Sequence, residues 1–135
     1  MAHIVSKSKS YIVYMRVLNK KKYVGMTSGL GTPEDIAKFR AGECGIGYKT
    51  ESENSKFWKA IKKYGWNNVE TFILAYGCTF EEARHLESYY IRYYDSFRNG
   101  YNGNGGEGDA DVGEALVYKN GLENKIIDME ELWYR

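Results

Sequence analysis

The chain has 135 residues, of which 43% are hydrophobic and 27% are charged, and its formal net charge is +1. These values are typical of one globular domain and exclude a chain that is disordered throughout. No run approaches the roughly 18 apolar residues of a membrane span, and no signal peptide is recognisable. The chain also has only two cysteines, too few for a disulfide framework. We therefore expect an intracellular, cytoplasmic protein that contacts no membrane.

The sequence predicts three strands and three helices. Alternating apolar residues of β-branched and aromatic type indicate the strands, and apolar positions three or four residues apart, after a capping residue, indicate the helices. Thr32 before Pro33 and Thr79 with Glu82 are two such caps. In chain order, the elements are strands at 11–18 and 22–27 with a turn at 19–21, helices at 33–41 and 55–64, a strand at 69–76 and a helix at 79–94. This order predicts an α+β fold: a small antiparallel three-stranded sheet flanked by helices.

Two loops and a short C-terminal extension make up the rest of the predicted organisation. Residues 42–54 and 96–108 are expected to be loops, the second rich in glycine and asparagine. Beyond them, Asn120-Gly121 predicts the turn of a hairpin between 115–118 and 125–128, followed by one helical turn. The two predicted units are a main domain at 1–108 and an acidic C-terminal extension at 109–135.

The charge is divided unevenly along the chain. Residues 1–75 contain 13 basic and 6 acidic residues, a net charge of +7, and the remainder contains 6 basic and 12 acidic residues, a net charge of −6. Such an asymmetry indicates either an anionic partner for the first part or two solvated faces that pack against each other. The net charge of +1 therefore does not exclude a nucleic-acid partner.

One acidic residue lies where a helix pattern calls for an apolar one. Glu87 is four residues after Ala83 and three before Tyr90, inside the apolar stripe of the helix predicted at 79–94. A carboxylate there is unfavourable unless it is paired or binds a metal ion. A salt bridge to a buried arginine and a partly exposed rim position are the structural alternatives, and both stay open. No histidine or cysteine spacing matches a zinc site, and there is no P-loop.

Two of the 13 tyrosines lie on neighbouring strands of the predicted hairpin. These are Tyr14 and Tyr23, and Gly25 follows Tyr23 on the same face of its strand. A missing side chain allows a close approach to the backbone, so two phenols beside a glycine would suit a phosphate group. Tyrosines at the edge of the core, each needing one hydrogen bond, are the structural alternative.

Five short motifs occur in the order that GIY-YIG nucleases have. They are Ile12-Val13-Tyr14 for GIY, Tyr23-Val24-Gly25 for YIG, residues 57–68 for F-x-x-A-I-x-K-Y-G-W-x-N, Glu87 in E-x-x-x-I-x-x-Y, and Gly100-Tyr101-Asn102 with Gly105-Gly106 for GYN…GG. The chain therefore resembles this family over residues 11–108, in particular its phage and mobile-element members, which include homing endonucleases. It departs from the family at Ile12, which stands in place of a glycine.

The resemblance implies a role for each matching residue. Tyr14 resembles the tyrosine proposed as general base for the attacking water, and Tyr23 resembles the tyrosine that orients the water or the scissile phosphate. Glu87 corresponds to the single acidic metal ligand. Asn102 is similar to the asparagine that helps to fix the phosphate region.

The family's arginine, which stabilises charge on the phosphate, is matched by Arg40, although Arg40 lies further from Gly25 than is usual. The segment Gly45-Ile46-Gly47-Tyr48 is similar to a G-x-G-Y that follows this arginine in one subgroup. Tyr48 would then replace the family's histidine or supporting tyrosine. Tyr48 and Gly25 are therefore expected to adjoin the catalytic residues.

The resemblance thus implies a DNA endonuclease that hydrolyses phosphodiester bonds in the cytoplasm of a phage host. We expect one Mg²⁺ or Mn²⁺ ion, held by Glu87, and double-stranded DNA as partner. A homodimer is one arrangement that would cut both strands. The alternative is a GIY-YIG scaffold without catalysis that binds nucleic acid or regulates. The lysines expected to contact flanking phosphates are Lys20, Lys21, Lys22, Lys56, Lys59 and Lys63.

Overall fold

The computed structural model describes residues 10–51, 53–104 and 122–127. Its strands and helices are β1 (Ser10–Leu18), β2 (Lys21–Gly29), α1 (Pro33–Ala41), α2 (Lys56–Tyr64), β3 (Glu70–Cys78) and α3 (Phe80–Tyr93), with 3₁₀ segments at Glu43–Tyr48, Trp66–Asn68 and Leu122–Lys125. The strands form one antiparallel sheet in the order β2-β1-β3. The predicted α+β class and the small three-stranded sheet are confirmed, and the six strands and helices predicted between residues 11 and 94 agree with the structure within two residues at either end.

The helices begin where predicted because their caps form. The Thr32 hydroxyl accepts a hydrogen bond from the Asp35 backbone N–H at 3.1 Å, and the Asp35 carboxylate accepts one from the Thr32 N–H. Thr79 and Glu82 make the same pair of bonds at the start of α3. Each pair satisfies backbone N–H groups that have no partner within the helix. Ser55 caps α2 through its hydroxyl, so it precedes that helix instead of opening it.

Helices cover both faces of the sheet. Because β1 is the central strand, its residues 12–15 are buried, pointing alternately to the two faces. One face packs against α3, and the buried residues there include Val13, Met15, Leu74, Ala83, Leu86 and Tyr90. The other face packs against α1 and α2, and the buried residues there include Ile12, Tyr14, Ile36, Ala37, Phe57 and Ile61. The candidate tyrosines therefore lie on the face that α1 and α2 cover.

The segment after α3 covers β2, which lies at an edge of the sheet. The Tyr101 backbone N–H donates to the Lys22 carbonyl oxygen at 2.8 Å. The Asn102 side chain bonds both polar backbone groups of Val24, at 2.8 Å to the N–H and 2.7 Å to the carbonyl oxygen. An edge strand otherwise exposes unpaired backbone groups, so this loop occupies the place of a fourth strand.

Two expectations about irregular segments need correction. Residues 42–54 are not irregular throughout, because Glu43–Tyr48 forms a 3₁₀ segment interrupted at Cys44 and Gly45, whose φ angles are 53° and 77°. Lys125, expected in a strand, ends a 3₁₀ segment, and Ile126 makes a single antiparallel bridge with Ala75 of β3. The Ile127 backbone N–H donates to the Leu74 carbonyl oxygen at 3.0 Å. The expected strand at 115–118, the turn at 120–121, residue 128 and the final helical turn lie outside the described residues. In the described part of the chain, no helix is long and apolar enough to cross a membrane.

Candidate functional site

A chain of hydrogen bonds links a buried arginine to two tyrosines between the sheet and α1. Arg16 Nε donates to the Tyr48 hydroxyl oxygen at 2.8 Å, and this oxygen is 2.7 Å from the hydroxyl oxygen of Tyr14. Because the Tyr48 oxygen accepts from Arg16, its own hydroxyl hydrogen is available to Tyr14. A positive charge is thereby connected to Tyr14 through one intervening phenol.

Arg16 is a site residue that the sequence patterns did not indicate. It is only 2% exposed, and its other nitrogens donate to Thr71 Oγ1 at 2.6 Å and to the Ala37 carbonyl oxygen at 2.8 Å. No carboxylate of the described residues forms an ion pair with it. A buried guanidinium is costly without such bonds, and here it also lies 4.8 Å from the ring centroid of Tyr14. In the sequence, the only signal for Arg16 is its position two residues after Tyr14, which places both side chains on the same face of one strand.

Gly25 makes room for the Tyr14 phenol. β1 and β2 pair Tyr14 directly with Gly25. A Cβ atom at residue 25 would lie 2.6 Å from the Tyr14 hydroxyl oxygen and 3.0 Å from Cε1 of Tyr23. The interpretation that the missing side chain opens the backbone to a phosphate group therefore needs correction, because the Tyr14 phenol fills that space. Tyr14 is 0% exposed, and burial raises its pKa well above the usual value for tyrosine.

Tyr23 is the half-buried member of the pair, and charges of both signs act on its phenol. Its ring stacks on Phe57, with centroids 4.8 Å apart, and meets the Tyr48 ring edge-on at 5.3 Å. Burial raises the pKa of Tyr23 to about 12, and the neighbouring Tyr48 and the negative charge of Glu87 add to this rise. The Arg40 cation opposes it. Arg40 and Glu87, predicted from distant parts of the sequence, thus both act on this phenol.

Arg40 is held against Tyr48 by the 3₁₀ segment that follows α1. Its Nη1 donates to the Gly47 carbonyl oxygen at 2.5 Å, and its guanidinium carbon is 4.4 Å from the Tyr48 ring centroid. A Cβ atom on Gly47 would overlap the Arg40 carbonyl oxygen, so this close packing requires glycine. The predicted grouping of Arg40 with Gly47 and Tyr48 is therefore present in the structure.

Glu87 occupies a half-buried position on α3. This agrees with the rim position that the sequence left open. The described residues contain no group of three or more His, Cys, Asp or Glu side chains that could hold a metal ion. Mg²⁺ at phosphate sites commonly uses one or two carboxylates and otherwise retains water and substrate oxygens. A single carboxylate whose charge reaches Tyr23 fits this pattern of coordination.

Asn102 acts on the site through β2. It is 6% exposed, and its Oδ1 accepts from the Val24 N–H and, at 2.6 Å, from the Ser96 hydroxyl, while its Nδ2 donates to the Val24 carbonyl oxygen. These bonds tie the Asn102 amide to protein groups and hold the strand that carries Tyr23, and a role of Asn102 at the phosphate stays a prediction.

The predicted phosphate-contacting lysines are on the surface, and two of them adjoin the segment after α3. Lys22 Nζ is 5.8 Å from the ring centroid of Tyr94. Lys56 Nζ donates to the Phe97 carbonyl oxygen at 2.7 Å. The exposed members are Lys20, Lys21, Lys56, Lys59 and Lys63, and Lys22 is half-buried.

Comparisons with known proteins return no match: no family model matches the chain, and neither does any curated protein or solved structure. The resemblance to GIY-YIG nucleases therefore stays a prediction that rests on the motifs.

Proposed function

We propose that the protein is a metal-dependent DNA endonuclease of GIY-YIG type, with its active site around Tyr23, Arg40 and Glu87. The observation that carries this proposal is one half-buried phenol, Tyr23, that shares the Tyr48 ring as a neighbour with Arg40 and whose pKa responds to the charges of both Arg40 and Glu87. Hydrolysis of a phosphodiester requires an oriented water, a cation for the phosphoryl oxygens and stabilisation of the leaving oxygen. The three side chains match these three requirements.

The two tyrosines take different roles from those that the resemblance implied. The Tyr14 hydroxyl is enclosed and bonded to Tyr48, so a water molecule has no access to it in this arrangement. Tyr23 is half-buried and is the phenol that can meet the attacking water. Tyr23 therefore orients this water through its phenolic oxygen. It receives the proton of the water as the phenolate, after its own hydroxyl proton has passed to the solvent that reaches this half-buried ring. Tyr14 keeps the neighbouring rings in place.

Arg40 binds the scissile phosphate through its planar fork of N–H groups. One of its nitrogens already donates to Gly47, which fixes the orientation of the fork before the substrate arrives. Such a preorganised charge typically contributes about 10²–10³ to the rate. A Mg²⁺ or Mn²⁺ ion bound through Glu87 would supply Lewis-acid stabilisation of the leaving oxygen.

A second candidate function is a DNA-binding scaffold without catalysis. It is favoured by the pKa values of both phenols, which are raised in the free protein, because a phenol that stays protonated near pH 7 is a poor base. Under this alternative, the lysines would bind DNA and no Mg²⁺-dependent turnover would follow.

Nicking of supercoiled plasmid DNA distinguishes the two candidates. Wild type with Mg²⁺ should convert the plasmid to nicked circles, and Glu87→Gln should lose at least about 100-fold in rate. Glu81→Gln is the matched control, because the Glu81 side chain is 68% exposed on the same helix. A wild-type rate in Glu87→Gln would refute the metal site, and DNA binding by a wild type that never nicks would favour the scaffold.

A further inference from the structure

A surface of exposed aromatic and basic side chains follows the end of α3. We name it the α3-end surface, and its members are Lys56, Arg92, Tyr93, Phe97 and Arg98. Phe97 is 40% exposed and Tyr93 is 48% exposed. Arg92, Phe97 and Arg98 line one concavity of about 410 Å³ together with Asp95. Exposed apolar groups rimmed by charges are typical of interaction sites.

The ring of Phe97 is held in its exposed position. The preceding residue, Ser96, is 1% exposed, its backbone N–H donates to the Ile91 carbonyl oxygen, and its hydroxyl donates to Asn102. On the other side, Lys56 Nζ donates to the Phe97 carbonyl oxygen and lies 5.0 Å from the ring centroid. Because the backbone on both sides of the ring is fixed, a ligand that stacks on Phe97 orders little additional structure.

The charges around this ring are mostly positive. None of the described carboxylates forms an ion pair with Arg92 or Arg98. Asp95, the acid that lines the concavity, accepts a hydrogen bond from the Asn99 side chain. Three cations therefore lie around one apolar ring: Lys56, and the two arginines, which come from the part of the chain whose net charge is negative. This combination favours an anionic ligand that also has a flat apolar face.

The α3-end surface also connects the two groups of lysines that were predicted to contact phosphates. Lys56 belongs to α2, whereas Lys22 belongs to β2 and lies against the ring of Tyr94. The Tyr94 ring is in turn 4.9 Å from that of Tyr93. A nucleic-acid strand that runs from the hairpin lysines to α2 would therefore pass over this surface.

We propose that the α3-end surface binds an unpaired nucleotide of a DNA strand, with the base stacked on Phe97 and the adjoining phosphates bound by Arg92, Arg98 and Lys56. The choice of DNA rests on the proposed nuclease function, whereas the binding itself requires no cleavage. Proteins that bind single strands without sequence preference combine aromatic rings, on which bases stack, with cations that bind the phosphates. A base within a duplex has both faces covered by its neighbours, so the surface should discriminate between single and double strands.

Fluorescence anisotropy with a labelled oligothymidine of about 15 nucleotides tests this proposal. The oligothymidine and a duplex of equal length are titrated with the protein in EDTA, so that no cleavage occurs. Phe97→Leu should weaken oligothymidine binding roughly ten-fold and leave duplex binding within about two-fold. Phe97→Tyr should restore binding because it keeps the ring. Arg98→Gln should weaken binding and reduce the slope of log affinity against log salt by about one.

Two matched controls lie on α1. Phe39→Leu removes an aromatic ring that is 88% exposed, and Lys38→Gln removes an exposed cation; both should leave oligothymidine affinity unchanged. Unchanged oligothymidine affinity in Phe97→Leu would overturn the proposal, as would an equal loss for the duplex or for Phe39→Leu. Oligothymidine binding that depends on Phe97 in a protein that never cleaves DNA would support this proposal and refute the nuclease. DNA cleavage by a protein whose oligothymidine affinity does not depend on Phe97 would support the nuclease and overturn this proposal.

Discussion

Replacing Gly25 by alanine should push the Tyr14 phenol out of its place. The added Cβ atom would lie 2.6 Å from the Tyr14 hydroxyl oxygen, 2.7 Å from its Cζ and 3.0 Å from Cε1 of Tyr23. Distances below 3.0 Å are too short for these contacts, so the Tyr14 ring must shift. A shift of this ring breaks its 2.7 Å bond to Tyr48.

The cost of Gly25→Ala follows from three contributions. Overpacking a buried position costs about 1–3 kcal/mol. Loss of the hydrogen bond to Tyr48 adds about 1 kcal/mol. The replacement itself offsets about 0.5–1 kcal/mol of this cost, because glycine loses more conformational freedom on folding than alanine does. We expect the free energy of unfolding to fall by about 1–3.5 kcal/mol.

Urea denaturation of a double-mutant cycle measures this effect. Tyr14→Phe removes the oxygen that the new Cβ atom would overlap, so the cost of Gly25→Ala should be lower by about 0.5–1 kcal/mol in the Tyr14→Phe background. Gly103→Ala is the matched control, because a Cβ atom there has nothing within 4 Å. The reasoning is refuted if Gly25→Ala costs no more than Gly103→Ala, or if the two substitutions in the cycle are additive.

Two further predictions concern the buried arginine and the tyrosines. Arg16→Met should lower the free energy of unfolding by about 2–4 kcal/mol, because the oxygens of Tyr48 and Thr71 lose their donor; a cost below about 1 kcal/mol in urea denaturation would contradict this. The pKa values of Tyr23 and Tyr94 are raised to about 12, above the value of about 10 in an unfolded chain. The folded state therefore favours the protonated phenols, so their stabilisation is fully present below pH 10 and is lost as the pH rises from 10 through 12. Urea denaturation at several pH values, with tyrosinate absorbance, checks this, and stability that is constant across the window would contradict it.

Local signals made the helix starts and the fold class predictable. Thr32 and Thr79 form caps with residues three positions away, so the sequence alone contains all the partners. Local signals were less accurate for the turn of the hairpin between β1 and β2. Its turn has two residues, Asn19 and Lys20 with φ of 50° and 68°, instead of the three predicted at 19–21. This length sets the register that places Gly25 opposite Tyr14.

The arrangement around Arg16 could not be predicted because its partners are distant in sequence. The residues that it bonds are 21 to 55 positions away, and only the packing of α1, the 3₁₀ segment at Glu43–Tyr48 and β3 brings them to β1. Asn102 is similar, since it bonds Val24 across 78 residues. The motifs marked Asn102 as important, whereas its bonds to Val24 became evident only from the way the loop covers β2.

The central claim is that the protein nicks DNA and that Tyr23 meets the attacking water. It is tested most directly by the single-turnover rate of plasmid nicking in Mg²⁺ for wild type, Tyr23→Phe and Tyr14→Phe. We expect nicking by wild type, a loss of at least about 100-fold in Tyr23→Phe and a loss of about ten-fold or less in Tyr14→Phe. A plasmid that stays supercoiled with wild type, or a larger loss in Tyr14→Phe than in Tyr23→Phe, would contradict the claim.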